Sequence, residues 1–299
     1  YILPLFVFFL TISFSQKKKN SSEELKSSDL TGLEFRSVGP AFMSGRIADI
    51  AINPDNENEW YVAVGSGGVW KTVNSGTTWN PIADDQPFYS TGCITIDPHN
   101  SSKIWLGTGE NVGGRHVGIG HGVFVSDNAG DSWRYVGLKS SEHISKIIVS
   151  PNDPNTVFVA SQGPLWSSGG ERGLYRTDNG GKTWKNVLSV NEWTGVTDIV
   201  VDHNNPNILY AATWQRHRNV ASYMGGGPGT SLYKSTDHGI TWTEINNGLP
   251  DSNLGKIGLA ISPFDSSILY AAVETDRRNG AVYKTTNSGG SWKKMSDTV

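Results

Sequence analysis

One eight-residue phrase limits what this chain can become. It occurs at Thr72–Trp79, Ser126–Trp133, Thr177–Trp184, Ser235–Trp242 and Thr285–Trp292. The order is always Ser/Thr, any residue, Asp/Asn, any residue, Gly, any residue, Ser/Thr, Trp, and the copies recur every 50 to 58 residues. A period of that size is the mark of a repeat architecture in which each unit buries its apolar face against the next. The chemistry of the octet is that of a tight turn. Asn74, Asn128, Asn179, Asp237 and Asn287 offer side-chain oxygens to the backbone amides of the turn. The glycines supply a left-handed backbone, and the flanking hydroxyls add local bonds. Trp79, Trp133, Trp184, Trp242 and Trp292 then bury a large ring between layers. The Asp and Asn side chains are therefore read as structural.

A second repeat precedes each octet: an alternating strand, a turn rich in Pro, Asn and Asp, and another strand. Ile47–Ile52 with Trp60–Ala63 and Ile94–Ile96 with Ile104–Gly107 are two examples; Ile147–Val149 with Val157–Ala160 is a third. With the strand that leads into each octet and the strand that starts at its Trp, each unit is a four-stranded antiparallel sheet, a–b–c–d. That is one blade of a β-propeller. The fold class expected is all-β, with five complete blades. Phe35–Pro40 resembles a fourth strand with no a, b or c before it, so one or more further blades are expected beyond Val299. A five-bladed ring with this strand left over is the competing arrangement.

Composition agrees. Gly numbers 35 of 299 residues and Trp 11, which suits many short strands joined by tight turns and argues against helical bundles. A net charge of −3 argues against a nucleic-acid partner. The single cysteine, Cys93, excludes an intramolecular disulfide and reads as a small buried hydrophobe. Tyr1–Phe14 is almost wholly apolar, too short to span a bilayer, and ends in a small-x-small pattern. The expected organisation is a signal peptide lacking its start (1–15), a polar linker (16–31) and a propeller incomplete at its C-terminal end (32–299). The mature protein is then secreted, periplasmic or on the cell surface, without a membrane span.

The octets occupy c–d turns, so the b–c and d–a connections share the opposite rim. There the loops vary in length, as binding loops on a rigid scaffold do. The residues expected to bind a ligand are Arg46, Glu110, Asn111, Arg115, His116, His143, Trp166, Trp193, Trp214, Gln215 and Arg216. Aromatic faces and planar hydrogen-bonding groups suit a polysaccharide, and they suit a peptide equally well. Gly107–Gly113 has glycines spaced as in a nucleotide loop, but no helix follows and no Gly-Lys-Ser/Thr closes it. The seven histidines show no metal-ligand spacing, and neither metal nor cofactor is expected.

The octets are identified as Asp-boxes, or BNR repeats, of sialidase-like propellers. With Ser44–Ile50, Tyr61–Thr72 and Gly163–Ser167 they resemble secreted bacterial proteins described as sortilin N-terminal-domain-like or BNR-repeat glycosyl hydrolase-like. The resemblance covers residues 32–299 and implies peptide binding of the sortilin kind or a relation to Asp-box xyloglucanases, which are inverting endo-glucanases. In those enzymes the base is an Asp in a Thr-Asp-x-Gly-Gly stretch after the second strand of the first blade. The matching stretch here, Val64–Trp70, has Gly65 or Ser66 at that place. An inverting glycosidase needs that carboxylate, so the expected function is ligand binding. Two alternatives remain: a glycoside hydrolase with a shifted pair, for which Glu110 and Glu142 are the candidates, and a scaffold for protein assembly.

Overall fold

In a computed structural model, the described residues are 46–275 and 280–296, with Gly32 besides. The signal-peptide, linker and orphan-strand expectations fall outside them. All but Gly32 lie in one compact unit, Ser44–Val299.

This unit is built from antiparallel sheets of four strands each. The first comprises β1 (Ile47–Ile52), β2 (Trp60–Val64), β3 (Gly68–Thr72) and β4 (Asn80–Pro81). The second is β5 (Thr91–Asp97), β6 (Asn100–Thr108), β7 (Val123–Ser126) and β8 (Arg134–Gly137). The third is β9 (Ile144–Ser150), β10 (Asp153–Ser161), β11 (Gly173–Thr177) and β12 (Lys185–Leu188). The fourth is β13 (Thr194–Val201), β14 (Leu209–Gln215), β17 (Leu232–Ser235) and β18 (Thr243–Glu244), with a small hairpin, β15 (His217–Arg218) and β16 (Tyr223–Met224), set between β14 and β17. The fifth is β19 (Leu254–Ile261), β20 (Leu269–Thr275), β21 (Ala281–Thr285) and β22 (Lys293–Lys294). In each, neighbours in sequence are neighbours in space, as in a propeller blade.

Apolar layers lie between successive sheets rather than within them. Tyr61, Val69, Ile94, Leu106 and Phe124 join the first sheet to the second, and Trp105, Val125, Ile147 and Val159 join the second to the third. Phe158, Leu174, Ile199 and Ala211 form the next layer, followed by Tyr210, Leu232, Ile257 and Ala271. Three octet tryptophans stitch these layers by reaching back to the preceding sheet. Trp133 Nε1 donates to the Ile82 carbonyl (2.9 Å), Trp184 Nε1 to Val136 (2.7 Å) and Trp292 Nε1 to Ile245 (2.8 Å). Trp242 instead donates to Gly239 of its own octet (3.3 Å).

The octet turn closes by a repeated set of bonds. In the third copy, Asn179 Oδ1 accepts from the Thr183 amide (3.0 Å) and the Thr177 hydroxyl (2.8 Å), and Thr177 Oγ1 accepts from the Gly181 amide (3.0 Å). The left-handed stretch is two residues long, which the sequence reading missed. The residue before the glycine is also at positive φ, as in Ser75 (54°), Ala129 (57°), His238 (60°) and Ser288 (54°).

Candidate functional site

Three long connections meet on the rim opposite the octets: Gly109–Gly122, Gln162–Arg172 and the β14–β17 segment with its hairpin. Arginines tie them together. Arg216 is completely buried, and its guanidinium donates to the carbonyls of Val112 (2.9 Å) and Gly163 (3.2 Å). Arg218 donates to Gly113 (3.1 and 3.0 Å), its backbone amide bonds Leu165 (2.9 Å), and Arg115 reaches Val220 (2.9 Å). The hairpin of the fourth sheet is thereby fastened to loops of the second and third. Arg172 folds its own loop, donating to Gly169 (2.8 Å), Gln162 (2.9 Å) and Ser167 (2.6 Å), and to Pro164. Burial pushes Arg216 down to about 9 and Arg172 down to about 10.

The two carboxylates singled out from sequence sit in different surroundings. Glu110 is buried and bonded to the Arg46 guanidinium, a contact from the second sheet back to the first. It also accepts from Ser66 Oγ (3.3 Å) and from the Gly118 amide (3.1 Å). Gly65 lies against it so closely that a Cβ there would stand 2.4 Å from Glu110 Oε1. Glu142 is half-buried with φ at 56°, and its carbonyl accepts from Gly120 (2.7 Å). Burial raises the Glu142 carboxyl above its ordinary range, while Arg172 and Arg216 pull the other way.

His143 connects the two. Its Nδ1 lies 2.8 Å from the Glu110 carbonyl, which can only accept, so Nδ1 carries the proton. Nε2 is then a bare acceptor, and among the described residues it has no hydrogen-bond partner. Burial first, then Arg216 and Arg172, push the imidazole down to about 3, so it is neutral at ordinary pH; its bond to Glu110 acts the other way.

The expected ligand residues divide. Trp166 is 42% exposed, and Arg115 and His116 are exposed. Trp193 is half-buried, edge-on to His217 at 4.3 Å between centroids. Trp214, Arg216 and Gln215 correct the expectation of surface contacts. Trp214 is buried, its Nε1 donates to Gly225 (2.8 Å), and Arg216 and Lys256 lie over its ring. Gln215 Oε1 accepts from the Gly229 amide (2.9 Å). These three build the loops: Trp214 Nε1, Gln215 Oε1 and both Arg216 Nη atoms satisfy backbone groups lifted out of the sheets. Asn111 is half-buried, and its carbonyl accepts from Lys256 Nζ (2.6 Å).

Sequence reasoning missed Tyr223, whose partly exposed ring stacks under Arg218 at 4.4 Å, and Lys146 and Lys256 on inner strands β9 and β19. The available signal was a lone lysine inside an otherwise apolar strand. Among the described residues no cluster of three or more His, Cys, Asp or Glu is placed to hold a metal ion. No described helix is long and apolar enough to cross a membrane.

No family model matches the chain. A xyloglucanase of Hypocrea jecorina is 28% identical over 256 residues, 75% of this chain and 28% of that protein. The crystal structure of an ancestral GH74 enzyme superposes with a TM-score of 0.62 at 24% identity, over 84% of this chain and 31% of that one. A structure of YCF48 bound to D1 peptide matches with a TM-score of 0.53 at 14% identity, over 87% of this chain and 70% of that one. The fold is thus that of a β-propeller, like those of the GH74 enzyme and of YCF48. The chain spans little more than a quarter of the length of the curated relatives it matches.

Proposed function

We propose that this chain is part of an exported glycoside hydrolase of the xyloglucanase kind, which binds a β-glucan across the rim formed by the b–c and d–a connections. This replaces simple ligand binding as the preferred reading. The observation that carries it is the sequence similarity to xyloglucanases, which extends over three quarters of the chain.

The missing Asp of the Val64–Trp70 stretch has a local substitute. Glu110 comes from the neighbouring sheet and sets its carboxylate against Gly65 and Ser66, where the resemblance puts the base. Arg46 sets its guanidinium directly against that carboxylate. Glu142, raised by burial, is the candidate acid. Arg115, His116, Trp166 and Trp193 are the exposed or half-exposed groups offered to sugar rings. The octets act as Asp-boxes that hold the scaffold.

The exposed apolar face of β1 supports a propeller of more than five blades. Ile47, Ile50 and Ile52 are exposed there beside a groove of about 440 Å³ lined by Trp60, Trp70 and Trp79. At the other sheets the equivalent face is covered by a preceding sheet.

The test is reducing-sugar release from xyloglucan by the full-length protein. Wild type is expected to release sugar, and Glu110→Gln and Glu142→Gln to lose at least about 100-fold while still binding. Binding without release by wild type would restore the pure recognition reading. Capture of peptides but no glycan would favour the second reading, peptide recognition, which the fold likeness to peptide-bound YCF48 supports.

A further inference from the structure

The inner strands enclose a polar cavity that the polysaccharide reading does not use. It measures about 260 Å³, and residues of β1, β9, β13 and β19, together with Asn111, line it. A water occupies roughly 30 Å³ of liquid, so the space admits a molecule of several heavy atoms.

Its charges are unevenly committed. Asp49 and Asp198 stand on the wall, but their oxygens are taken by backbone amides. Asp49 accepts from Ile50 (2.9 Å) and Ile94 (3.1 Å), and Asp198 from Ile199 (2.9 Å) and Leu259 (2.7 Å). These carboxylates latch strands and their sheets together.

The two lysines on the wall, Lys146 and Lys256, have no such commitment. Among the described ion pairs, none joins either of them to a carboxylate oxygen within 4.0 Å. Lys256 Nζ donates once, to the Asn111 carbonyl, and an ammonium has three protons to give. Lys256 is pushed down to about 8, by burial first and then by Arg216, with Asp198 and Glu274 opposing. Thr197 Oγ1 accepts from Gln162 Nε2 (3.0 Å), which leaves its own proton free. Two half-buried ammonium groups with protons to spare, in no close ion pair, favour a ligand with acceptor oxygens.

We propose that this cavity binds a small oxyanion, a carboxylate or a phosphate, held between the ammonium groups of Lys146 and Lys256 with the Thr197 hydroxyl as a third donor. Neither Glu110 nor Glu142 lines this cavity, so anion binding is read out separately from glycan cleavage.

The test is calorimetric titration of the full chain at fixed ionic strength with inorganic phosphate, malonate and galacturonate, using glucose as the uncharged control. At least one anion is expected to bind saturably at a single site, and the pattern among the three separates a phosphate source from a carboxylate one. Lys146→Met and Lys256→Met are each expected to weaken binding at least about tenfold. Lys182→Met, on an exposed octet turn, is expected to leave it unchanged. Absence of saturable binding by all three anions, or binding that survives in the double Lys146→Met/Lys256→Met protein, would overturn the proposal. Should those variants fail to fold, amine acetylation of wild type mapped by mass spectrometry still decides. The bound anion must protect Lys146 and Lys256 relative to Lys182, and equal labelling with and without anion refutes the site.

Discussion

The carboxylate of Glu110, carried by a loop of the second sheet, is bonded to the guanidinium of Arg46 at the mouth of the first. The pair joins adjacent blades at the point where the xyloglucanase resemblance asks for a carboxylate. Arg46 is more than a third exposed at its side chain while Glu110 is buried, so the arginine is the solvent-facing partner.

Removing that partner tests the pair. Arg46→Met leaves a buried carboxylate with only Ser66 and the Gly118 amide, and is expected to cost roughly 1–3 kcal/mol in urea unfolding. Glu110→Gln keeps an acceptor oxygen and is expected to cost less. A larger loss in Glu110→Gln than in Arg46→Met would show that the arginine is not what holds the carboxylate in place.

The octet Asn can be tested in isolation. Asn179→Ala removes the acceptor for the Thr183 amide and the Thr177 hydroxyl and is expected to cost about 1–2 kcal/mol. Asn179→Asp should lie near wild type, because Asp237 plays the same part in the fourth octet. The Asp237 carboxyl is held below its ordinary range, first by the Thr241 hydroxyl and then by the Thr241 amide and Ser235. A depressed carboxyl stabilises the fold above its unfolded value and loses that contribution as pH falls through its folded one. Asp237→Asn should therefore flatten stability against pH on the acid side of about pH 4, read as Tm.

His143 predicts a second pH dependence, at milder acidity. It is neutral in the fold, lowered to about 3 from an unfolded value of 6.5, so the unfolded chain binds the extra proton. Its contribution is complete above pH 6.5 and lost as pH falls toward 3, with a slope approaching about 1.4 kcal/mol per pH unit. His143→Gln should be less stable at pH 7.5 and lose less on going to pH 5. Parallel Tm curves for the two proteins would contradict the buried, neutral assignment.

Gly109 holds the rim carboxylates in register. Its φ is +85°, and a Cβ would stand 1.8 Å from the Glu142 carbonyl oxygen. Gly109→Ala is expected to destabilise by about 2 kcal/mol or more and to lower xyloglucan release further than global stability explains, measured well below its Tm.

Arg216 is the rivet of the three loops. Arg216→Ala should free the β15–β16 hairpin, so limited proteolysis between residues 217 and 224 should quicken several-fold while far-UV circular dichroism stays that of the sheets. Unchanged cleavage would mean that Arg218 and Arg115 suffice.

The octets are local: the partners of Asn179 lie within four residues, so spacing alone announces the turn, the strand before it and the strand after it. In Ile147–Val149 the two-residue period sends Ile147 and Val149 into the layer shared with the second sheet and Ile148 into the layer shared with the fourth. Lys146 and Lys256 escaped notice because a lone lysine in an apolar strand does not record what it faces on the other sheets. Trp214 and Arg216 looked like surface groups because rim loops usually are surface.

The repeat, the four-stranded unit, the order of strands and the rim on which long loops gather were determined by the sequence itself, since each rests on interactions a few residues apart or on a period. Only the tertiary structure decided which loop residues face solvent and which are consumed in holding loops down. It placed Glu110 beside Arg46, 64 residues away, and brought Lys146 and Lys256 to one cavity. The reason is physical: long-range pairing depends on how successive sheets rotate about their common contacts, and no local pattern records that rotation.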